Sequence, residues 1–157
     1  MININSIIGN IFEDEKLQKI EFEKIRMSRT ELEKRILRKQ TDKGTDIGIN
    51  LDTGNHLHNG DIIGNEEIKI CIEQTPEKVI LIKLKKNSQN LAILLGHIIG
   101  NRHRPIGFEG EKILFPIQAD SELEVFERLF KEIIGDIELK IGEKIFLPHT
   151  SADVHEH

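Results

Sequence analysis

The chain has 157 residues, 38% hydrophobic and 31% charged, enough for one full-sized domain or two small ones and too few for a barrel enzyme or a two-domain dehydrogenase. Its 27 acidic and 22 basic side chains leave a formal charge of -5, without the basic excess of a nucleic-acid binder. The single cysteine, Cys71, excludes an intrachain disulfide framework or a Cys-based zinc site and points to a reducing, cytoplasmic setting, whereas seven histidines are an unusual number.

Met1 to Asn10 carry no basic n-region and no long apolar run, so neither a signal peptide nor a membrane span is expected. From there to about residue 75, short strands are expected at Ile20 to Met27, Arg35 to Thr41, Ile47 to Leu51 and Ile68 to Glu73, with Ile47, Ile49 and Leu51 on one face. Asp42-Lys43-Gly44, Asp52-Thr53-Gly54 and Asn59-Gly60 supply turn residues that tolerate positive φ, and Asn59-Gly60 reads as a hairpin dipeptide. The first half is therefore read as all-β.

The second half alternates differently. Val79 to Lys85 forms a strand by its β-branched content, and Ser88 caps a helix with a stripe of Leu91, Leu94, Leu95 and Ile98. Strands around Ile106 to Phe108 and Ile113 to Ile117 follow, joined at Gly110. A second helix begins at Ser121, spaced from Glu124 as in a capping box, and buries Leu123, Phe126, Leu129, Phe130 and Ile133 before Gly135 ends it. Ile137, Leu139 and Ile141 alternate as a last strand. The order βαββαβ is the ferredoxin-like split pattern, which hosts many functions. The fold class is thus α+β: an all-β domain over residues 1–75, a ferredoxin-like domain over 76–146, and a flexible His-containing tail over 147–157. With no Trp or Tyr, seven Phe and 28 Ile, the cores are expected to be aliphatic.

The usual enzymatic signatures are absent. There is no G-x-x-x-x-G-K-[ST] or G-x-G-x-x-G phosphate loop and no G-x-S-x-G, Cys71 alternates with strand residues like a core side chain, and the carboxylates are scattered. The histidines form three groups. His56 and His58 flank Leu57 in a turn-rich segment, where they read as solvated side chains or as a strand-type His-x-His chelate. His97 and His103 lie six residues apart, about 120° around a helix, and cannot chelate as an i, i+4 pair. His97 reads as a surface residue, and His103, near the helix end, as a ligand or as a partner for terminal carbonyls. His149, His155 and His157 form a short His-rich tract with Asp153 and Glu156, of the kind that binds borderline divalent metals.

Gly100-Asn-Arg-His103 at the end of the first helix of a βαββαβ half resembles the signature of the UreE family, the urease accessory nickel metallochaperones. The stretch Thr41 to Leu51 and the segment Asn59-Gly-Asp-Ile-Ile63 resemble that family's amino-terminal β domain, and Pro148-His149 resembles a tail dipeptide of some members. The resemblance implies a cytoplasmic, non-enzymatic homodimer that binds Ni(II) as cargo and delivers it to the urease apoprotein with other urease accessory proteins. It implies that the β domain engages partner proteins or peptides. It assigns the principal ligand to His103, one from each subunit, because a twofold axis turns one histidine per chain into a pair. His149, with His155 or His157, is then expected to complete a nitrogen-rich shell. Cu(II) and Zn(II) are expected to compete in such a site, and protons to compete for imidazole below about pH 6.5. Three tail histidines do not suggest large-capacity storage, and Gly107 to Lys112 lack the His-x-His that some relatives carry there. No nucleic-acid or membrane partner is expected. The alternative from another class is an RNA- or ribosome-associated module, favoured slightly by Arg102 and Arg104 and opposed by the negative charge. A metal-dependent hydrolase built on His103 lacks a recognisable general base or a second ligand on a rigid element.

Overall fold

Alternating apolar residues and left-handed glycine turns fold the first part of the chain into two sheets. The computed structural model describes residues 1–149 and separates into two units, Met1–Thr75 and a second that begins at Pro76. The first unit contains β1 (Ile2–Ile4), β2 (Ile7–Asn10), β3 (Glu23–Met27), α1 (Arg29–Leu32), β4 (Ile36–Gln40), β5 (Asp46–Asn50), β6 (Asp61–Gly64) and β7 (Lys69–Gln74). One sheet has the order β1-β5-β4 and the other β2-β6-β7-β3. The pairings β1–β5 and β3–β7 are parallel, the rest antiparallel. Ile4, Ile47 and Ile49 from the first sheet close one core with Ile25, Ile63 and Ile72 from the second.

Asp42-Lys43-Gly44 makes the β4–β5 hairpin: Gly44 has φ 84°, and the Thr41 N–H donates to the Thr45 carbonyl at 2.9 Å. The same turn reaches β3, where the Asp42 N–H donates to the Lys24 carbonyl at 2.8 Å and the Lys24 N–H donates to Asp42 Oδ1 at 2.9 Å. Asn59-Gly60 is a turn, with Gly60 at φ 85°, but the strands on either side, β5 and β6, belong to different sheets, so it is not a hairpin. Nor is the unit all-β. Ser28 and Glu31 form a full capping box that starts the one-turn helix α1, the Ser28 hydroxyl accepting from the Glu31 N–H and the Glu31 carboxylate from the Ser28 N–H.

The second unit contains β8 (Glu77–Leu84), α2 (Gln89–Asn101), β9 (Gly107–Glu109), β10 (Lys112–Pro116), α3 (Glu122–Leu129) and β11 (Ile137–Lys144). Its sheet runs β11-β8-β10-β9 with every neighbour antiparallel. The Ser88 hydroxyl accepts from the Leu91 N–H and starts α2 as expected. The buried stripe of α2 is narrower than its apolar pattern suggests: Leu91, Leu95 and Ile99 are buried, Ile98 is partly so, and Leu94 faces outward. Four of the seven Phe residues, Phe115, Phe126, Phe130 and Phe146, are fully buried in this unit, so its cores are aromatic at the centre rather than purely aliphatic.

α3 departs from the expected capping at both ends. Ser121 has helical dihedrals and makes no side-chain cap; instead Glu122 turns back and its carboxylate accepts from the Gln118 and Ala119 N–H groups. The α-helix stops at Leu129, before Gly135, and the chain turns through buried Phe130 and Ile133 into a 3-10 turn at Ile134–Asp136. Leu129 remains partly exposed. No described helix is long and apolar enough to cross a membrane.

Candidate functional site

α2 ends in a way that sets one histidine apart. Arg102 closes the last turn, its N–H donating to the Ile99 carbonyl at 3.1 Å, and the His103 N–H donates to the Gly100 carbonyl at 3.0 Å. His103 has φ 55°, the left-handed region, and is the sole non-glycine residue there among those described. Glycine usually takes this position after a helix because a Cβ there costs about 1–2 kcal/mol. A histidine kept at such a cost makes this position a candidate for function. Its backbone, not its ring, satisfies the helix-end carbonyl, which removes the carbonyl-capping reading of the side chain. The ring is exposed and takes no hydrogen-bond or ion-pair partner among the described residues.

The next residues are anchored from a distance. Arg104 Nη1 donates to the Pro116 carbonyl at 2.9 Å, Nη2 pairs with Glu122, and the guanidinium lies 5.7 Å from the centre of the Phe126 ring. Burial alone would raise the Glu122 carboxyl, but bonds from the Gln118 N–H, Arg104 and the Ala119 N–H outweigh it and hold the carboxyl below the usual range. Arg104 is therefore engaged internally, which deprives the RNA-binding alternative of one of its two supporting side chains.

The start of the expected flexible tail is fixed in place. The His149 N–H donates to the Ile106 carbonyl at 2.8 Å, and its ring meets Phe108 edge-on with centroids 5.8 Å apart. A Cβ on Gly107 would come within 2.7 Å of the Leu147 carbonyl, so glycine is needed for this close passage. The structure thus brings the His149 backbone to within three residues of His103 along the chain. It does not assemble a ligand shell: among the described residues no group of three His, Cys, Asp or Glu side chains is arranged to hold an ion. His155 and His157 lie outside the described residues.

The remaining candidates separate cleanly. His97 is exposed and accepts from Asn101 Nδ2 at 3.2 Å. His58 is exposed, but His56 is not a second solvated ring: it is half-buried against His58, centroids 4.5 Å apart, with Nε2 buried and unpartnered among the described residues. The buried Asp61 carboxylate accepts from the His58 N–H at 2.7 Å and from Asn10 Nδ2 at 3.0 Å. Cys71 is buried, and burial pushes its thiol up, away from a reactive thiolate. An open groove of about 890 Å³ in the first unit is lined by Lys24, Arg26, Arg38 and Lys39. Its cations are compensated locally: Arg38 makes two bonds to Asp46 at 2.9 and 2.6 Å, Lys39 meets Glu31 at 2.9 Å, and Lys24 and Arg26 stand 3.6 and 3.7 Å from Glu73.

The pairing of Arg104 with Glu122 is not visible in the sequence, where Arg104 reads only as slight support for RNA binding. The partners of Arg104, Pro116 and Glu122, lie 12 and 18 residues away, and the one visible signal is a basic residue beside a motif histidine.

Fold and site together define a class: a small two-unit α+β protein that presents one histidine at a strained helix end, with a second held beside the strand that follows. Residues 4–72 match the family model described as UreE urease accessory protein, N-terminal domain. A urease accessory protein UreE of Lysinibacillus sphaericus is 33% identical over 141 residues, covering 82% of this chain and 93% of that protein. The UreE of Streptococcus vestibularis is 28% identical over 150 residues, 96% of this chain and 97% of that protein, and that of Corynebacterium efficiens 34% over 113 residues, 71% and 74%. The chain belongs to the UreE family of urease accessory proteins.

Proposed function

We propose that this urease accessory protein is a non-catalytic nickel carrier, which binds Ni(II) weakly through imidazole and surrenders it to the urease apoprotein during metallocentre assembly. The observation that carries the reading is His103: an exposed imidazole without a partner among the described residues, kept where glycine would be less strained, with His149 docked beside the strand that follows it. Imidazole nitrogen suits a borderline divalent ion such as Ni(II), and Cu(II) and Zn(II) compete in the same donor set. The ion is cargo, so an open and incomplete shell is an advantage for release.

One His103 per chain is too few, and a homodimer with the ion on its twofold axis supplies two. The outer face of α2 supports this arrangement: Ile93 and Leu94 are 62% and 50% exposed, and Gly96 and Gly100 have open space where a Cβ would stand. His149, and then His155 or His157, complete the shell. The strand order β11-β8-β10-β9 supports reading the second unit as ferredoxin-like. Metal binding is assigned to it because His103 and His149 lie there, which leaves the first unit to meet urease apoprotein and other accessory proteins in the cytoplasm.

Titration calorimetry with Ni(II), on the full chain, His103→Ala and a chain truncated after Leu147, tests this reading. The tightest site, with a stoichiometry of one ion per dimer by sedimentation, is expected to vanish in His103→Ala and to weaken in the truncated chain. An unchanged tightest site in His103→Ala refutes it.

A further inference from the structure

We propose that Arg104, locked by Glu122, is a positioning residue that aims His103, so that the affinity of the metal site is set in part by a contact that never touches the ion. The inference rests on reading His103 as the principal ligand.

A left-handed residue just after a helix is held on its amino-terminal side by the helix itself, here through the His103 N–H bond to Gly100. On its carboxy-terminal side the next fixed backbone point is Ile106, which packs on the core and whose carbonyl accepts from the His149 N–H. Pro105 offers no N–H, and a residue before proline is biased to extended backbone, so the chain must leave the helix at once. The direction of that exit decides where the imidazole points. Arg104 fixes it with three contacts to two different elements: the Pro116 carbonyl at the end of β10, the Glu122 carboxylate at the start of α3, and the face of the Phe126 ring. Glu122 is itself tied to the Gln118 and Ala119 N–H groups and cannot swing to follow a moving arginine.

The chemistry calls for arginine. Its planar fork donates to two acceptors at once and stacks on an aromatic ring, whereas a lysine ammonium is a point charge on a flexible stem. Both side chains are largely shielded from solvent, 29% and 20% exposed, so the pair is less screened than a surface bridge. Outer partners bonded directly to a metal ligand contribute about 10–100-fold in affinity, and Arg104, which acts through the backbone, is expected at the lower end of that range.

The test uses the full chain with His103→Ala, Arg104→Ala, Arg104→Lys and Glu122→Gln, and Lys86→Met as a control that removes a distant ion pair, Lys86 to Asp136 at 3.3 Å. Nickel affinity is measured by calorimetry, urea stability by far-UV circular dichroism, and the His103 ring environment by nitrogen-15 NMR of the metal-free protein. Arg104→Ala and Glu122→Gln are each expected to weaken the tightest site about tenfold in protein that is still folded, and to shift and broaden the His103 ring signals. Arg104→Lys should fail to restore affinity, and Lys86→Met should leave it unchanged. Should Arg104→Ala not fold, Glu122→Gln, which keeps the shape and removes the charge, carries the same expectation. Wild-type affinity and ring signals in folded Glu122→Gln, or an equal loss in Lys86→Met, overturn the proposal. An unchanged site in His103→Ala instead overturns the reading on which it rests.

Discussion

Replacing His103 by glycine and by alanine separates what this position costs the fold from what it does. Alanine keeps the Cβ, and with it about 1–2 kcal/mol of left-handed strain at φ 55°. Glycine removes that strain but gains about 0.4–1 kcal/mol of extra freedom in the unfolded chain. Subtracting one range from the other leaves His103→Gly more stable than His103→Ala by about 0–1.6 kcal/mol, with about 4–8 °C in Tm for each kcal/mol in a unit of this size. The side chain contributes little in either direction, because the ring is exposed and makes no hydrogen bond with the described residues. Urea and thermal melts followed by far-UV circular dichroism suit a chain without Trp or Tyr. A glycine variant less stable than the alanine variant would refute a left-handed backbone imposed by the end of α2. Both variants should lose the tightest Ni(II) site, so that the glycine protein is firmer and empty.

Ser88→Ala should cost about 0.5–2 kcal/mol by urea titration, because its hydroxyl caps α2, whereas Ser121→Ala should sit near zero because Ser121 caps nothing. A cost at Ser121 equal to that at Ser88 contradicts the Glu122 cap. Acid stability should depend on Glu31, whose carboxyl is held below the usual range by the Ser28 N–H first and Lys39 second. With the folded value depressed, its contribution is present above about pH 4.3 and is lost as pH falls through the folded value. Glu31→Gln should accordingly lower the urea midpoint at pH 7 and flatten its decline toward pH 3; an identical slope in wild type and variant rules this out.

How much of the molecule could be read from the chain varies with the range of the interactions. β8 and the start of α2 were legible because Val79 to Lys85 and Ser88 carry local signals that tertiary packing reinforces. The strands β1, β2 and β6 were not, since three or four residues hold too little periodicity and β1 finds its place only by pairing with Ile47 to Ile49. Ser28 and Glu31 had capping-box spacing in plain view but head a helix of a single turn. At α3 the spacing of Ser121 and Glu124 is misleading, because Ser121 takes helical dihedrals and Glu122 turns back to accept from the Gln118 and Ala119 N–H groups and from Arg104. In the candidate site, the identity of His103 was legible while its left-handed backbone was not, because that depends on where the chain must go next. The clamp on Arg104 was invisible for the same reason, and the docking of His149 on Ile106 needed the carboxy-terminal segment to fold back beside β9.

The Asp42 clasp on β3 bears on how a chain with 28 isoleucines avoids self-association. β3 lies at the end of its sheet, where a free row of N–H and C=O groups would template a strand from another molecule. Asp42 occupies the outward N–H and carbonyl of Lys24 with its own side chain and backbone, and the charged heads of Lys24 and Arg26 stand beside it. A single aspartate in a hairpin turn thereby occupies part of the edge that a strand from another molecule would need, which is one of the devices that counter edge-to-edge pairing in a β-rich protein.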